Sequence, residues 1–509
     1  MSMAPSVEKI GGTSIAATDA VVGNVLIAGR AGRDLYRRIF VVSAYGGITD
    51  LLLEPKKKTD AAKPPGLYAS FAADGEKGDW RDALDAVAAA MRARNEEVFG
   101  TSPERAVADD FVAARIGETR ACLDDLDRLR GHGHFRLDEP LATLRELLAG
   151  LGEAHSAHNT ALLLLARGVN AAFVDLTGWQ DGRNLDLDER IRTGLDGIDS
   201  ATTLPIVTGY AKCSDGMVRK YDRGYTEMTF ARLAVLTGAR EAIIHKEFHL
   251  SSADPKVVGV GKARKIGRTN YDVADQLANL GVEVIHPGAA RGLRQAGIPL
   301  RVRNTFDRHD EGTLICADYV SAAPRIEIVT GIRELRALQF FEQDMVGKKG
   351  YDAAILDTLT KHRARIVSKS SNANAITHYL AAGGPTVRRV IADLEARFPN
   401  AEVSAPRLAM VALIGSDLSA EGCVGRALDA LGAAGIGVKA MQHQMRNVDI
   451  QFILDTDRFD DAIRALHAAL VECRATQDGK GGTLRGMSRP MLNFGAVHCL
   501  VSDYATFAG

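Results

Sequence analysis

The sequence predicts an α/β protein in which an open, mostly parallel sheet is sandwiched by helices and is followed by two small βαββαβ modules. Short apolar runs alternate with helical patterns over residues 1–320, as βαβ units require. Beyond about residue 325, two strand and helix patterns of similar size follow each other. We therefore expect one large domain at 1–320, modules at 325–400 and 401–475, and a tail at 476–509.

The strands of the large domain are predicted from short apolar runs rich in β-branched residues. These runs are VEKI (7–10), IFVVS (39–43), AAFVDL (171–176), LPIVTG (204–209), EAIIH (241–245), VEVIH (282–286) and LRVRN (300–304). A helix-rich insertion is expected at about 79–150, because apolar residues there recur at the i, i+3, i+4, i+7 spacing of one helix face. They are Leu84, Val87, Ala88 and Met91.

The two modules each combine a long strand, a helix that follows a glycine, and a further strand. The predicted strands are RIEIVTGIREL (325–335), RARIVSK (363–369), RLAMVALIGSDL (407–418) and VDIQFILD (448–455), and the helices are GYDAAILDTLTKH (350–362) and CVGRALDALGAAG (423–435). The similar length and order of the two copies indicate a tandem repeat.

Composition excludes several classes of protein. Lys+Arg 63 against Asp+Glu 64 gives a net charge of −1, which argues against nucleic acid or a membrane surface as a partner. With 46% hydrophobic and 25% charged residues, and no apolar run of about 18 residues, we expect a globular cytoplasmic protein. The 6 cysteines lack CxxC or CxxH spacing, so reduced thiols are expected rather than disulfides or structural zinc.

The first strand ends in a motif suited to phosphate. Lys9 is followed by Gly11 and Gly12 and then by Thr13 and Ser14. Paired glycines let backbone N–H groups approach phosphate oxygens, and a fixed ammonium neutralises a phosphoryl group. The same residues also suit an ordinary strand-to-helix turn. Neither GxxxxGK[ST] nor GxGxxG occurs, which disfavours a P-loop kinase and a Rossmann dehydrogenase.

Further motifs follow in a fixed order along the chain. They are SAYGGITD (43–50), GEAHSA (152–157), YDRGYTE (221–227), ADPKVV (253–258), IHP (285–287), RVRNT (301–305) and GT (312–313). This series resembles the amino-acid kinase family, and within it the aspartate kinases, over about 1–315. The two modules resemble the paired ACT domains of the same enzymes. The insertion and the block HKEFHLSSADPKVVG (245–259) resemble the subgroup associated with ectoine biosynthesis.

The resemblance implies a role for each matching residue. Lys9 and Glu227 are expected to be catalytic. ATP and its phosphates are expected at Lys9, Gly11, Gly12, Thr13, Ser14, Lys246, Asp254 and Lys256. L-Aspartate is expected at Ser43, Thr49, Glu153, Arg223 and Thr226. The set is chemically sensible, since Glu153 can pair with an ammonium and Arg223 with a carboxylate.

The implied reaction is attack of the L-aspartate side-chain carboxylate on the γ-phosphorus of ATP, giving 4-phospho-L-aspartate for aspartate-family amino acids or ectoine. Mg²⁺ is expected with ATP, without a direct protein ligand. The attacking carboxylate is already ionised, so no general base is needed. Two alternatives are a glutamate-type amino-acid kinase and a catalytically inactive amino-acid sensor.

The chain departs from the family pattern around the nucleotide. The segment His245–His249 replaces a Thr-Asp-x-Asp-Gly motif, Ser251 stands where a base-stacking tyrosine is common, and Glu283 stands where a lysine is frequent. We expect Lys246 to supply the missing cation. Neither His155 with His158 nor His245 with His249 forms a convincing metal-ligand set, and His286 is expected at a strand end.

The resemblance to ACT domains implies control by a small amino acid. The loop with Met345, Gly347 and Gly350 offers N–H groups near a helix start, and SKSSNAN (368–374) is predicted to be a second such loop. Joined sheet edges favour a homodimer or a higher homo-oligomer. The effector stays open at this point, and the modules could serve only for dimerisation.

Overall fold

The computed structural model describes residues 4–55, 64–73, 79–282 and 284–472. The chain forms two compact units. The first comprises Met1–His249 and His286–Leu314, and the second Leu250–Ile285 and Ile315–Gly509. The predicted boundaries of the domain and modules stay predictions, and the predicted tail lies outside the described residues.

The β-strands of the described residues follow in chain order. They are β1 (Ser6–Ile10), β2 (Arg38–Val42), β3 (Ala171–Val174), β4 (Leu204–Thr208), β5 (Glu241–Lys246), β6 (Arg268–Asn270), β7 (Leu300–Asn304), β8 (Thr313–Cys316), β9 (Ile328–Phe341), β10 (Arg365–Ser371), β11 (Ala375–Ala381), β12 (Glu402–Ser404), β13 (Arg407–Ile414), β14 (Ala440–His443) and β15 (Asp449–Leu454).

The α-helices are numbered in the same way. They are α1 (Gly12–Ala16), α2 (Thr18–Val21), α3 (Ile48–Leu52), α4 (Leu67–Ala72), α5 (Trp80–Phe99), α6 (Glu104–Gly131), α7 (Asp138–Ala166), α8 (Leu187–Leu195), α9 (Met217–Tyr221), α10 (Tyr225–Leu236), α11 (Pro255–Val258), α12 (Tyr271–Asn279), α13 (Pro287–Gln295), α14 (Tyr351–Lys361), α15 (Gly384–Arg397), α16 (Cys423–Ala433) and α17 (Phe459–His467).

The first unit is built on a parallel sheet. Its strands lie in the order β3-β4-β2-β1-β5-β7, and each of these pairs is parallel. Lys9 on β1 lies between Val41 and Ile244 of the neighbouring strands. The predicted parallel sheet is confirmed, and it brings the carboxyl ends of β1, β2 and β5 to one edge, where α/β proteins bind their ligands.

Helices α5, α6 and α7 account for the predicted insertion. The predicted apolar face of α5 is buried, with Leu84, Val87 and Met91 fully inside. Most residues of α7 between Leu148 and Leu164 are buried as well, including several polar ones. This long buried helix carries Glu153 into the interior of the unit.

One strand prediction is wrong. In VEVIH (282–286), the described residues form no strand, and Glu283 lies outside them. Val284 and Ile285 are buried at 3% and 1% exposure, so burial rather than strand pairing explains the apolar run. His286 begins a helix instead, because its Nδ1 accepts the N–H of Gly288 at the start of α13 (3.1 Å).

The second unit contains an antiparallel sheet in the order β10-β11-β9-β13-β15-β14, with β12 also on β9. The elements β9-α14-β10-β11-α15-β12 form a βαββαβ module, and β13-α16-β14-β15-α17 supply the first five elements of another. The long strand β9 pairs with both β11 and β13. The tandem repeat therefore builds one continuous sheet.

The predicted loop SKSSNAN (368–374) is wrong over its first half. Residues 368–371 belong to β10 and pair with β11. Ser368 donates to Gln442 Oε1 (2.7 Å), and Gln442 Nε2 donates to the Lys369 carbonyl (3.0 Å). Ser368 thus lies on an outer strand, where its hydroxyl bonds to Gln442 of β14.

Two further expectations concern the whole chain. No helix among the described residues is both long enough and apolar enough to cross a bilayer. Cys122, Cys213 and Cys316 are free cysteines, while Cys473 and Cys499 lie outside the described residues.

Candidate active site

Lys9 forms a buried ion pair at the carboxyl edge of the parallel sheet. Its Nζ lies 2.8 Å from Glu227 Oε1, and the two side chains are 12% and 10% exposed. Glu227 lies in the first turn of α10. Its second oxygen accepts the backbone N–H of His286. Both oxygens of Glu227 are therefore engaged, and its carboxylate holds the ammonium of Lys9 in place.

The charge of Glu227 is set by its cationic neighbours. Burial alone would raise its pKa, but the charges of Lys9 and Lys246 and the hydrogen bonds to Lys9 and His286 lower it to about 2. The carboxylate is therefore ionised throughout the neutral range. Two ammonium groups near one carboxylate leave this part of the site net positive, which suits a phosphate.

The glycines after β1 allow two strand-end loops to touch. A Cβ on Gly12 would lie 2.6 Å from the carbonyl oxygen of Ala44. The carbonyl of Gly12 accepts the N–H of Gly46 (3.0 Å), and Gly11 donates its N–H to the His245 carbonyl (3.4 Å). Any side chain at residue 12 would push the SAYGG loop away from β1.

Ser14 has structural partners, whereas Thr13 is exposed. The buried Ser14 hydroxyl donates to Glu247 Oε1 (3.1 Å) and accepts from Thr305 Oγ1 (3.0 Å). Ser14 thus connects the start of α1 to the ends of β5 and β7. Lys246, the last residue of β5, accepts the Thr305 N–H at its carbonyl (2.8 Å).

Glu153 is the second buried carboxylate of the site. It is 2% exposed on α7, and its Oε1 accepts the Thr226 hydroxyl (2.6 Å). Its Oε2 is buried and has no hydrogen-bond partner in the described part of the chain. Burial raises the pKa of Glu153 to about 8, against the smaller lowering effects of Thr226, backbone groups and Lys9. Such an oxygen is available to a buried cationic ligand.

Because Gly209 has no side chain, there is room for the carboxylate of Glu153 beside it. A Cβ at residue 209 would lie 2.3 Å from Thr226 Cγ2 and 2.6 Å from Glu153 Oε2. Sequence reasoning missed this glycine, although it ends the predicted strand run LPIVTG. A glycine directly after a buried strand was the available signal.

A polar cluster behind Glu153 was also missed. Asn95 Oδ1 lies 2.6 Å from His155 Nε2 and accepts the side-chain N–H of Asn159 (2.7 Å). The ring of Tyr45 contacts His155 edge-on at 5.4 Å. His155 is thus a structural residue, and His158 stacks on Phe111 at 4.1 Å. The cluster joins the helical insertion to the SAYGG loop.

Arg223 does not have an open guanidinium. Its Nη1 lies 2.7 Å from Asp50 Oδ1, and Nη2 donates to the Glu54 carbonyl. Thr49, which precedes Asp50 in α3, is hydrogen-bonded to the Tyr225 side chain. Ser43 donates its N–H to the Ile10 carbonyl (3.1 Å) and accepts the Ser156 hydroxyl at its own carbonyl (2.8 Å). The SAYGGITD segment therefore connects β1, α7 and the start of α10.

The start of α10 joins the two carboxylates. Thr226 bonds to Glu153, and the next residue, Glu227, bonds to Lys9. The charge of Lys9 also acts on Glu153. Lys9, Glu153, Thr226, Glu227 and Lys246 thus lie together at one edge of the sheet.

Asp254 and Lys256 belong to the second unit. There Asp254 caps α11, with Oδ1 accepting the Lys256 N–H (2.9 Å). Ser251 donates its hydroxyl to the Ala253 carbonyl (2.8 Å). The structure thus gives Asp254 a local role in this turn, and the ATP role of Asp254 and Lys256 stays a prediction.

The predicted effector residues lie between β9 and α14. Met345 is buried in the core of the first module, and Gly347 and Gly350 have φ values of +75° and +102°, which favour glycine. Close to this turn, His378 Nε2 lies 3.9 Å from Asp352 Oδ1. Both ring nitrogens of His378 and this Asp352 oxygen are buried without hydrogen bonds in the described residues.

Comparison with known proteins identifies the family. Residues 5–304 match the amino acid kinase family. The chain belongs to this family. It is 47% identical over 467 residues to aspartate kinase Ask_Ect of Stutzerimonas stutzeri, covering 92% of this chain and 97% of that protein. The predicted resemblance to aspartate kinases is confirmed.

Solved structures show the same fold. Aspartokinase III of E. coli, in complex with lysine and aspartate (T-state), matches with a TM-score of 0.67 at 20% identity, covering 92% of this chain and all (100%) of that one. The aspartate kinase of Clostridium acetobutylicum matches with a TM-score of 0.67 at 17% identity, covering 91% and 100%. The predicted fold class, including the C-terminal modules, is confirmed.

Proposed function

We infer that the chain is an ATP-dependent aspartate kinase, which transfers the γ-phosphoryl group of ATP to the side-chain carboxylate of L-aspartate. The identity to Ask_Ect over nearly the whole chain supports this activity. The structural observation that supports this activity is at the start of α10. There Thr226 bonds to Glu153, and the next residue, Glu227, bonds to Lys9. These contacts support a site in which Glu153 binds the substrate ammonium and the neighbouring Lys9 binds phosphate.

The phosphate half of the site uses Lys9 and Lys246. Their ammonium groups counter the charge that spreads over the phosphoryl oxygens during transfer. Glu227 acts through Lys9, because it fixes the position of Nζ. ATP enters as its magnesium complex, in which the ion neutralises phosphate charge. Gly11 and Gly12 keep the backbone close to the phosphates.

The amino-acid half of the site uses Glu153 and Arg223. The unpartnered oxygen of Glu153 accepts the α-ammonium of L-aspartate, with Thr226 holding the other oxygen. Arg223 exchanges Asp50 for a substrate carboxylate, and Ser43 and Thr49 hold the substrate in place. The side-chain carboxylate of aspartate is the nucleophile, so the P–O bond to ADP breaks as the acyl phosphate forms, without a general base.

The two alternatives are weaker. A glutamate-type kinase does not match the similarity to Ask_Ect. A catalytically inactive sensor would not require the ammonium of Lys9 to be held in place by Glu227. The same similarity supports a product that feeds ectoine synthesis, as the sequence resemblance implies. Location in the cytoplasm stays a prediction.

The C-terminal modules are proposed to bind a small amino-acid effector at the turn with Met345, Gly347 and Gly350, and to support a homodimer or higher oligomer. The buried unpartnered atoms of His378 and Asp352 support a polar ligand beside this turn. Titration of activity with lysine and with threonine separately tests the effector, and unchanged activity with both would contradict control by either amino acid.

The activity is tested with purified protein, ATP, magnesium and hydroxylamine, which traps an acyl phosphate as a hydroxamate. We expect hydroxamate with L-aspartate and at least tenfold less with L-glutamate. Faster reaction with glutamate would favour the second kinase type. No hydroxamate with either amino acid, from protein shown to be folded, would favour the sensor.

A further inference from the structure

Three side chains that can ligate a metal meet in the first unit, in the loops that follow Lys246 and Thr305. His249 follows β5, and Asp307 and Asp310 follow β7, the neighbouring parallel strand. The ring atom Nε2 lies 3.6 Å from Asp307 Oδ2, and Nδ1 lies 3.6 Å from Asp310 Oδ1. One ligand atom from each residue lies within 4.8 Å of the others. The fold thus unites residues that are distant in the sequence.

The present contacts leave the imidazole unsatisfied. A distance of 3.6 Å is beyond hydrogen-bond range. The Nδ1 atom of His249 is buried and has no hydrogen-bond partner in the described ranges, and the side chain as a whole is 12% exposed. A buried polar atom without a partner costs free energy. Something that binds Nδ1 is therefore missing from the protein's own contacts.

Both carboxylates are oriented by backbone groups. Asp310 Oδ1 accepts the Gly312 N–H (2.6 Å), and Asp307 Oδ1 accepts the His309 N–H (3.3 Å). Arg303 Nη2 donates to the carbonyls of Arg308 and Asp310, 3.2 Å each, and so fixes the loop. Such outer contacts commonly hold metal ligands in place.

We propose that His249, Asp307 and Asp310 bind one divalent transition-metal ion. Two carboxylates and a neutral imidazole balance a charge of +2, and an imidazole ligand favours Zn²⁺ or Co²⁺ over Mg²⁺. Bonds of about 2.0–2.2 Å require the ligand atoms to lie about 3.0–3.5 Å apart, and one ion binds only one nitrogen of the ring. The three ligand atoms lie within 4.8 Å of one another, so a carboxylate must turn toward the ion to close the site. Three protein ligands leave a further position for water.

The ion would connect the loop after β5 to the loop after β7. The first of these loops follows Lys246, the last residue of β5, which contributes positive charge next to Glu227. The site binds metal whether or not the chain is an aspartate kinase. Only its effect on ATP binding, through the position of Lys246, rests on the proposed function.

The test is a Co²⁺ titration of the full-length protein after treatment with a chelator and removal of the chelator. We expect one equivalent to bind with a visible d–d absorption band, to be displaced by Zn²⁺ and to remain in millimolar Mg²⁺. Binding at a hundredfold excess over Kd would raise the free energy of unfolding by about 2.7 kcal/mol, measurable as a higher Tm.

The variants His249→Asn and Asp307→Asn should each weaken Co²⁺ binding at least 100-fold. Asp19→Asn is the matched control, because Asp19 is exposed on α2, and it should bind like the wild type. Circular dichroism without metal checks that each variant is folded. If one variant does not fold, the other alone is enough to test the proposal. The proposal is wrong if wild type binds no stoichiometric Co²⁺ below 1 mM, if Mg²⁺ displaces it at equal concentration, or if a folded variant binds it as tightly.

Discussion

Two neighbouring carboxylates, Glu227 on α10 and Glu153 on α7, differ in charge although both are buried. Glu227 is surrounded by Lys9, Lys246 and a backbone N–H, and its pKa falls to about 2. Glu153 has a hydroxyl and an unpartnered oxygen, and burial raises its pKa to about 8. The difference shows that the partners of a buried acid, rather than its burial, set its charge. In the proposed function, this difference separates the phosphate half of the site from the amino-acid half.

The raised pKa of Glu153 makes the folded chain less stable as pH increases. The pKa in the folded chain lies above the ordinary value of 4.5, so the folded chain holds a proton that the unfolded chain releases between pH 4.5 and about 8. This stabilising contribution is complete below pH 4.5 and is lost as pH rises through 8. A ligand ammonium would replace that proton.

Replacement of Lys9 should break the phosphate half most severely. We expect Lys9→Met to lower kcat by about 10²–10³-fold, as loss of one charge-stabilising donor does. Removing one partner of a buried ion pair also costs about 3–5 kcal/mol of stability. The double variant Lys9→Met/Glu227→Gln should regain stability without activity. Hydroxamate assays and thermal unfolding measure both; a Lys9→Met enzyme with wild-type kcat would contradict this role.

Replacement of Glu153 should affect the amino-acid half alone. We expect Glu153→Gln to raise KM for aspartate about 10–100-fold, the size of a hydrogen bond to a charged group, and to leave KM for ATP within about twofold. In the wild type, KM for aspartate should fall as pH rises from 6 to 9, whereas the variant should show a flat profile. Glu395→Gln, on an exposed stretch of α15, is the control. An equal rise in KM for aspartate and KM for ATP would contradict the division of the site into a phosphate half and an amino-acid half.

Replacement of Gly209 tests the space that Glu153 needs. Gly209→Ala should raise KM for aspartate about tenfold, since the new methyl group contacts Glu153 and Thr226 too closely. Gly117→Ala is the matched control, because no heavy atom lies within 4 Å of its added Cβ in α6. That change should stabilise the fold by about 0.5–1 kcal/mol. Steady-state kinetics of a Gly209→Ala enzyme like wild type would show that the space is not needed.

Replacement of Asp50 should have the smallest effect, and in the opposite direction. Asp50→Asn removes a carboxylate that competes with the substrate for Arg223, so KM for aspartate should fall about two- to fivefold, consistent with a partly exposed ion pair. An increase in KM would mean that Asp50 positions Arg223 instead of competing for it.

The sequence predicts the parts of the site that depend on local motifs. Lys9 lies near the end of β1, Gly12 follows that strand, and Thr226 and Glu227 lie in the first turn of a helix. Their neighbourhood is therefore predictable from the order of the strands. The position of Gly209 after a buried strand marks it in the sequence, but its role follows only from its contact with Glu153, which α7 supplies from a distant part of the chain. The cluster of His249, Asp307 and Asp310 likewise exists only because β5 and β7 are neighbours.

The errors in fold prediction have one physical cause. The composition of VEVIH predicts a strand and that of SKSSNAN a loop, but burial decides the structure of the first and strand pairing that of the second. An apolar run of five residues packs equally well as a buried turn. A run of serines can form an outer strand when side-chain partners such as Gln442 lie opposite.

Above all, we infer that at pH 7 Glu153 is protonated whereas Glu227 is ionised. The most direct test is calorimetry of aspartate binding at pH 7, in the presence of magnesium and a non-hydrolysable ATP analogue. Runs in buffers of different ionisation enthalpy give the number of protons released. With a pKa of about 8, Glu153 is mostly protonated at pH 7, so binding of the substrate ammonium should release about 0.9 proton. Glu153→Gln should release none. No proton release by the wild type, or equal release by the variant, would contradict the account.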